Sequence, residues 1–244
     1  MDVTPYAVLV LALCVSHLVQ GITGFGAVVL ALPLLTFFFP LKVLVPALVV
    51  VNFLQAGWFT VTERRHISRA HARSLVLLSL AGLPLGWAVY EWLPAESLKI
   101  ALGVVVTAVA LWNLFGLKLS RPLPLVLYHA INFAGGFAQG SLVCGGPFLV
   151  IYAARMVPEK SEFRATLSVA WLVLNLVLLV VYTATGAWQR EMAPIIGAAL
   201  PTVVFGTVLG IRLHDRIPQQ PFRLMIFAVL LVSGLVLLRP LVFK

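Results

Sequence analysis

The segment Gln20-Gly21-Ile22-Thr23-Gly24-Phe25-Gly26 lies inside a run from Thr4 to Phe39 that carries no Asp, Glu, Lys or Arg. As a single helix that run would be about 50 Å long at about 1.5 Å per residue, well beyond a hydrocarbon core of about 30 Å. The chain must break or turn back, and Gly21, Gly24 and Gly26 supply the backbone freedom to do so. A second break, Gln139-Gly140-Ser141-Leu142-Val143-Cys144-Gly145-Gly146-Pro147, again opens on Gln-Gly and closes on glycine.

Composition says why the solvent around these breaks is lipid. Of 244 residues 61% are hydrophobic and only 10% charged, with mean hydropathy +1.06, whereas soluble domains are about half apolar and a quarter charged. Too little polar surface remains to cover a soluble core, which excludes a soluble enzyme. The net charge of +9 fits basic loops against an anionic leaflet rather than a nucleic-acid partner. Cys14 and Cys144 sit in apolar runs, so no disulfide framework, metal site or cofactor is expected. The first residues carry Asp2 and no basic residue, so the first segment is expected to stay in the mature protein rather than leave as a signal peptide.

The two breaks belong to a wider pattern. Gln20, Gly21, Gly26 and Leu30 match Gln139, Gly140, Gly145 and Leu149 at an offset of 119; Gly82, Gly86, Glu91, Pro94 and Lys99 match Gly206, Gly210, Asp215, Pro218 and Arg223 at 124. This collinearity predicts an all-α polytopic membrane protein of two structural repeats, 1–120 and 121–244, each a Gly-broken re-entrant or hairpin element plus three transmembrane helices. The apolar runs fall at 4–20, 24–39, 42–61, 74–92, 96–116, 124–139, 147–157, 163–185, 192–213 and 220–241.

The basic residues decide between a single crossing and a hairpin at each break. With hairpins, Arg64, Arg65, Arg69, Arg73, Lys118, Arg121, Arg155, Lys160, Arg164, Arg212, Arg216 and Arg223 share one side, leaving Lys42, Lys99, Arg190, Arg239 and Lys244 on the other, 12 against 5 of the 17. Single crossings give 8 against 9, with no bias. The positive-inside rule therefore favours hairpins, inverted repeats and two external termini.

Non-helical backbone inside a membrane is tolerated only where protein or a wet cavity satisfies it. The half-helices that start after each break point free amides and positive dipole ends at the space between the tips, which suits a small anion. The expected substrate site is Gln20, Gly21, Thr23, Gly24, Phe25, Gly26, Gln139, Gly140, Ser141, Cys144, Gly145 and Gly146. The glutamines, Thr23 and Ser141 would give side-chain donors, Gly21 and Gly140 hinges, while Cys144 reads more simply as a small filler. His17, Asn52, Asn132 and Asn175 form a surrounding polar set, His17 as a proton site or a packing histidine, the asparagines as site or helix glue. Gly82, Gly86, Gly206 and Gly210 read as packing glycines. His66, His71 and His214 read as solvated. All eight acids fall at segment ends or in loops, so a carboxylate relay is not expected and an anion would be held by backbone amides and neutral donors. The basic stretch from Glu63 to Arg73 reads as contact with anionic headgroups.

Gln20 to Gly26 with Pro33, and Gly135-Gly-Phe-Ala-Gln-Gly-Ser-Leu-Val-Cys-Gly-Gly-Pro147 followed by Ile151-Tyr152-Ala153, resemble the two duplicated signatures of the sulfite exporter TauE/SafE family. The resemblance implies a bacterial inner-membrane permease that moves small sulfur anions outward: sulfite, sulfoacetate or other organosulfonates. Thr23 and Phe25 interrupt a glycine run that is denser in the family, a departure that bears on the substrate. The expected partners are the anion, the bilayer and a proton or other coupling ion; a homodimer is compatible with the sequence. An anion channel, or a carrier of another small organic anion, is the rival reading. The chain has no Gly-x-Ser-x-Gly, paired intramembrane Asp or His-Glu-x-x-His motif for an intramembrane enzyme.

Overall fold

The computed structural model describes residues 3–115, 124–157, 159–214, 216, 228, 231–232 and 234–238. The described residues are helical, without strands: α1 Val3–Thr23, α2 Ala27–Leu35, α3 Leu41–Thr62, a 3-10 turn Arg64–His66, α4 Arg69–Trp92, α5 Ala95–Leu114, α6 Leu125–Leu142, α7 Gly146–Met156, α8 Lys160–Ala184 and α9 Met192–His214. Five stretches among these, Pro5–Thr23, Leu41–Thr62, Arg69–Trp92, Lys160–Ala184 and Met192–His214, are long and apolar enough to cross a membrane. The run expected at 220–241 lies mostly outside the described residues.

Sequence chemistry places the helix ends. Pro40 and Pro124 stand immediately before α3 and α6, and Pro147 in the first turn of α7, where a missing N–H costs nothing. Glu159 caps α8 by accepting from Ser161 N and Glu162 N. The breaks fall later than the sequence suggested. Gln20 and Gly21 remain helical in α1, Gln139 and Gly140 in α6, and only residues 24–26 and 143–145 leave the helix.

At both breaks the chain turns back. Phe39, just past α2, meets Tyr6 at the start of α1 with ring centroids 5.8 Å apart; Tyr152 of α7 meets Tyr128 at the start of α6 at 6.3 Å. The shorter arm thus runs back along the longer one.

Contacts between the halves are crosswise. α1 lies on α9, α6 on α4, and α3 on α8, with α3 also touching α9 and α4 touching α8. With no hydrophobic drive between helices in lipid, such pairs depend on close backbone approach. The expected packing glycines provide it. A Cβ on Gly82 or Gly86 would fall 2.1 Å from the Phe133 carbonyl or 1.9 Å from that of Phe137, and one on Gly206 or Gly210 would fall 2.9 Å from His17 Cβ or 2.6 Å from Gly21 Cα. Gly21 and Gly140 join these same seams, against Gly210 and the Leu83 carbonyl. The structure therefore places them at helix-packing positions within the last turns of α1 and α6, outside the non-helical residues 24–26 and 143–145.

The burial pattern is the inverse of a soluble helix. On α1 the polar Ser16, His17 and Gln20 face inward beside Leu9 and Leu13, while Leu11 is 67% and Val15 58% exposed. Lipid solvates the apolar face and protein must satisfy the polar one.

Candidate functional site

The first tip spans 24–26, where Gly24 (φ 83) and Gly26 (φ 106) adopt left-handed backbone that favours glycine. Gly24 N closes the last turn of α1 on the Gln20 carbonyl at 2.7 Å. Gln20 then bends its side chain across the gap, and its Oε1 accepts from Ala27 N, the first residue of α2, at 3.0 Å. The second tip repeats the device: Gln139 Oε1 accepts from Gly145 N at 3.2 Å, while Gln139 Nε2 donates to Asn175 Oδ1 at 2.9 Å. Here the turn is made by Val143 at φ 54, a conformation that costs a β-branched residue on the order of 1–2 kcal/mol. Val143 N and Cys144 N bond back to the Gln139 and Ala138 carbonyls.

The tips meet. A Cβ on Gly146 would come within 3.9 Å of Phe25 of the first tip and Val29 of α2. Between them lies a cavity of about 20 Å³ whose walls are Gln20, Phe25, Gly26, Ala27, Val28 and Val29 from one break, Gln139, Val143 and Gly146 from the other, Asn52 of α3 and Trp171 of α8. Asn52 is buried, and its Oδ1 has no hydrogen-bond partner among the described residues.

Of the residues expected at the site, Gln20, Phe25, Gly26, Gln139, Gly146 and Asn52 thus come together at the cavity, with Gly145 and Asn175 directly behind as partners of Gln139. The hydroxyls turn elsewhere. Thr23 Oγ1 lies 2.9 Å from the Val19 and 2.8 Å from the Phe25 carbonyl, and Ser141 Oγ donates to Phe137 O at 3.0 Å, so neither is directed at the cavity. Cys144 is fully buried in the hydrophobic core. Asn132 is buried on α6 beside Ser79, outside the cavity wall. His17 faces α3 and α9: its Nδ1 is 2.7 Å from Gln55 Oε1, and Gln55 Nε2 donates to Thr207 Oγ1 at 2.8 Å. Because Gln55 accepts through Oε1, Nδ1 of His17 carries the proton in this bond.

Charge is where the sequence reading needs correction. Arg164 and Glu63 do stand near helix ends, yet both are buried, and the guanidinium forks onto the carboxylate, with Nε to Oε2 at 3.0 Å. Its third nitrogen, Nη1, donates to the Gly21 carbonyl at 2.9 Å, and its plane lies over Phe59 at 5.5 Å. Two other side chains reach the same tip: Trp171 Nε1 donates to Gly24 O at 3.2 Å, and His214 Nδ1 lies 2.5 Å from Ile22 O. His214 is therefore a buried residue, and His71 is half-buried with Nδ1 3.2 Å from the Tyr152 hydroxyl; only His66 is exposed as expected. The end of α1 concentrates unpaired carbonyls and the negative end of the helix dipole, which a guanidinium, an imidazole and an indole N–H from α8 and α9 satisfy. The one sequence signal for this was the seven-residue spacing of Arg164 and Trp171, which sets both on one face of α8.

These features define a polytopic helical membrane protein with two broken elements folded together around a small cavity that both glutamines line. Residues 8–237 match the family described as Sulfite exporter TauE/SafE, and the chain belongs to that family, one of membrane transporters. It is 30% identical over 165 residues, 64% of this chain and 68% of the relative, to the Comamonas testosteroni protein named "Probable inner membrane transporter protein TsaS". No solved structure matches the chain.

Proposed function

We propose that this transporter exports a small inorganic or organic sulfur anion, such as sulfite, sulfoacetate or another sulfonate, across the bacterial inner membrane, holding it between the two glycine tips. The observation that carries this reading is the meeting of Gln20 and Gln139, 119 residues apart, on the wall of one cavity with the starts of α2 and α7. Half-helix amides with their positive dipole ends give an anion what ionised side chains would give it in a wetter site. The Oδ1 of Asn52, without a hydrogen-bond partner among the described residues, adds a buried polar group that calls for a ligand or water.

The crosswise contacts and the offset matches support two inverted repeats, 1–120 and 121–244, that rock about this site in alternating access. On the basic-residue count both termini are external. The test is uptake by proteoliposomes holding the purified protein. Flux of labelled sulfite should saturate and be accelerated by unlabelled sulfite on the far side; linear flux without counterflow would mean a channel, and selectivity for carboxylates over sulfur anions would reassign the substrate.

A further inference from the structure

We propose that the side-chain amide oxygens of Gln20 and Gln139 compete with the oxygens of the transported anion for the same two backbone amides, holding these amides whenever the carrier crosses the membrane without cargo. The inference rests on the transport reading above and concerns how that site behaves when empty.

Each glutamine places a neutral oxygen on a half-helix amide that would face an anion: Gln20 Oε1 on Ala27 N at 3.0 Å and Gln139 Oε1 on Gly145 N at 3.2 Å. Both bonds cross the break itself, and they recur in the two halves. These two amides lie at the starts of the half-helices, beside the cavity that both glutamines line, and each is already taken by a glutamine oxygen. An anion therefore reaches these amides only as the glutamine oxygens leave them, and its own oxygens take over the bonds released.

The walls provide for the exchange. Gln139 is already steered through Nε2 by Asn175 Oδ1, and Asn52, 123 positions earlier, lines the same cavity as Gln20 with its Oδ1 lacking a partner among the described residues. The Gln20 amide, once displaced, can donate to it. Without stand-ins the empty protein would bury bare amides in a low-dielectric interior, a state that hydrogen-bond energetics disfavours strongly. A carrier built for net export must cross its cycle empty once per turn, whereas exchange of one anion for another never needs the empty crossing. The glutamines therefore matter more for net efflux than for exchange.

The experiment compares net efflux of labelled sulfite with sulfite–sulfite exchange in proteoliposomes of the full chain, for the native protein and Gln20→Ala/Gln139→Ala. The expected result is a ratio of net efflux to exchange at least tenfold below native. A ratio that stays native, with both fluxes lowered together, would make the glutamines ordinary donors or mere helix caps and overturn the proposal. Gln20→Glu and Gln139→Glu keep an acceptor on each amide and give a second reading that survives a poorly folding alanine variant. A carboxylate is the stronger competitor for a helix N-terminus, so half-saturation of exchange should rise at least tenfold; no change in it would overturn the proposal. Absence of any saturable sulfite or methanesulfonate flux in the native protein would instead remove the transport reading, and this inference with it.

Discussion

Arg164 of α8 donates through Nη1 to the Gly21 carbonyl of α1 at 2.9 Å while its other two nitrogens hold Glu63, so one guanidinium fastens the first tip to the second half of the chain. Removing one partner of a buried pair leaves the other charge uncompensated, at a cost of about 3–5 kcal/mol. Arg164→Met should therefore lower the unfolding free energy of the detergent-purified protein by that order. The double variant Arg164→Met/Glu63→Met should recover most of the loss. Additive losses in the two single variants, measured by chemical unfolding, would show that the pair is not coupled.

The glycine seams make a graded prediction. Gly136→Ala would set a methyl 1.9 Å from the Ser79 carbonyl, and Gly86→Ala sets one equally close to Phe137 O, so each must force α4 and α6 apart. Gly197 lies within α9 with nothing within 4 Å of its would-be Cβ. There alanine should stabilise the helix by about 0.5–1 kcal/mol. Thermal midpoints should fall clearly for the first two and hold or rise for the third; equal effects at all three would mean that close approach is not what these glycines provide.

Topology can be read by labelling. In a background lacking Cys14 and Cys144, a cysteine replacing exposed Arg65 should be shielded from an impermeant thiol reagent applied to the periplasmic side, and one replacing exposed Glu96 should react. α3 carries the chain from the Lys42 end to the Arg65 end, and α4 returns it. Labelling at 65 from the periplasm would reverse the orientation proposed from the basic residues.

Glu159, outside the membrane spans, accepts from Ser161 N and Glu162 N, and these backbone bonds hold its carboxyl below the usual carboxylate range. A depressed folded value means that the stabilisation is present above the unfolded value of about 4.3 and is lost as pH falls through the lower folded value. Glu159→Gln should lower the thermal midpoint slightly at pH 7, with the difference from the native protein closing as the pH is taken down toward 3. A difference that is constant across this range would assign the effect to something other than the ionised cap.

The sequence by itself determined the class of solvent, the two breaks, the packing glycines and the membership of the two glutamines in one pattern. Each is a local or periodic property: charge-free runs longer than a bilayer core, glycine where a side chain cannot fit, a motif met twice. It also carried the half-helix geometry, because a helix that restarts after glycine must present its first amides.

Tertiary structure alone decided which way the polar side chains turn and which charges are buried. Gln20 accepts through Oε1 from the first residue of α2 and Gln139 from Gly145, the cap of α7, and the hydroxyls of Thr23 and Ser141 are taken up by neighbouring carbonyls. Arg164 and His214 sit near helix ends, where sequence reads solvent, yet the end of α1 arrives beside them with its carbonyls unpaired. The positions of these groups along the chain are fixed by covalent structure, but their partners lie 143 and 192 residues away. No periodicity spans such distances; only the crosswise packing of α1 on α9 and α3 on α8 brings an acceptor to each donor and sets the cost of leaving either unpaired.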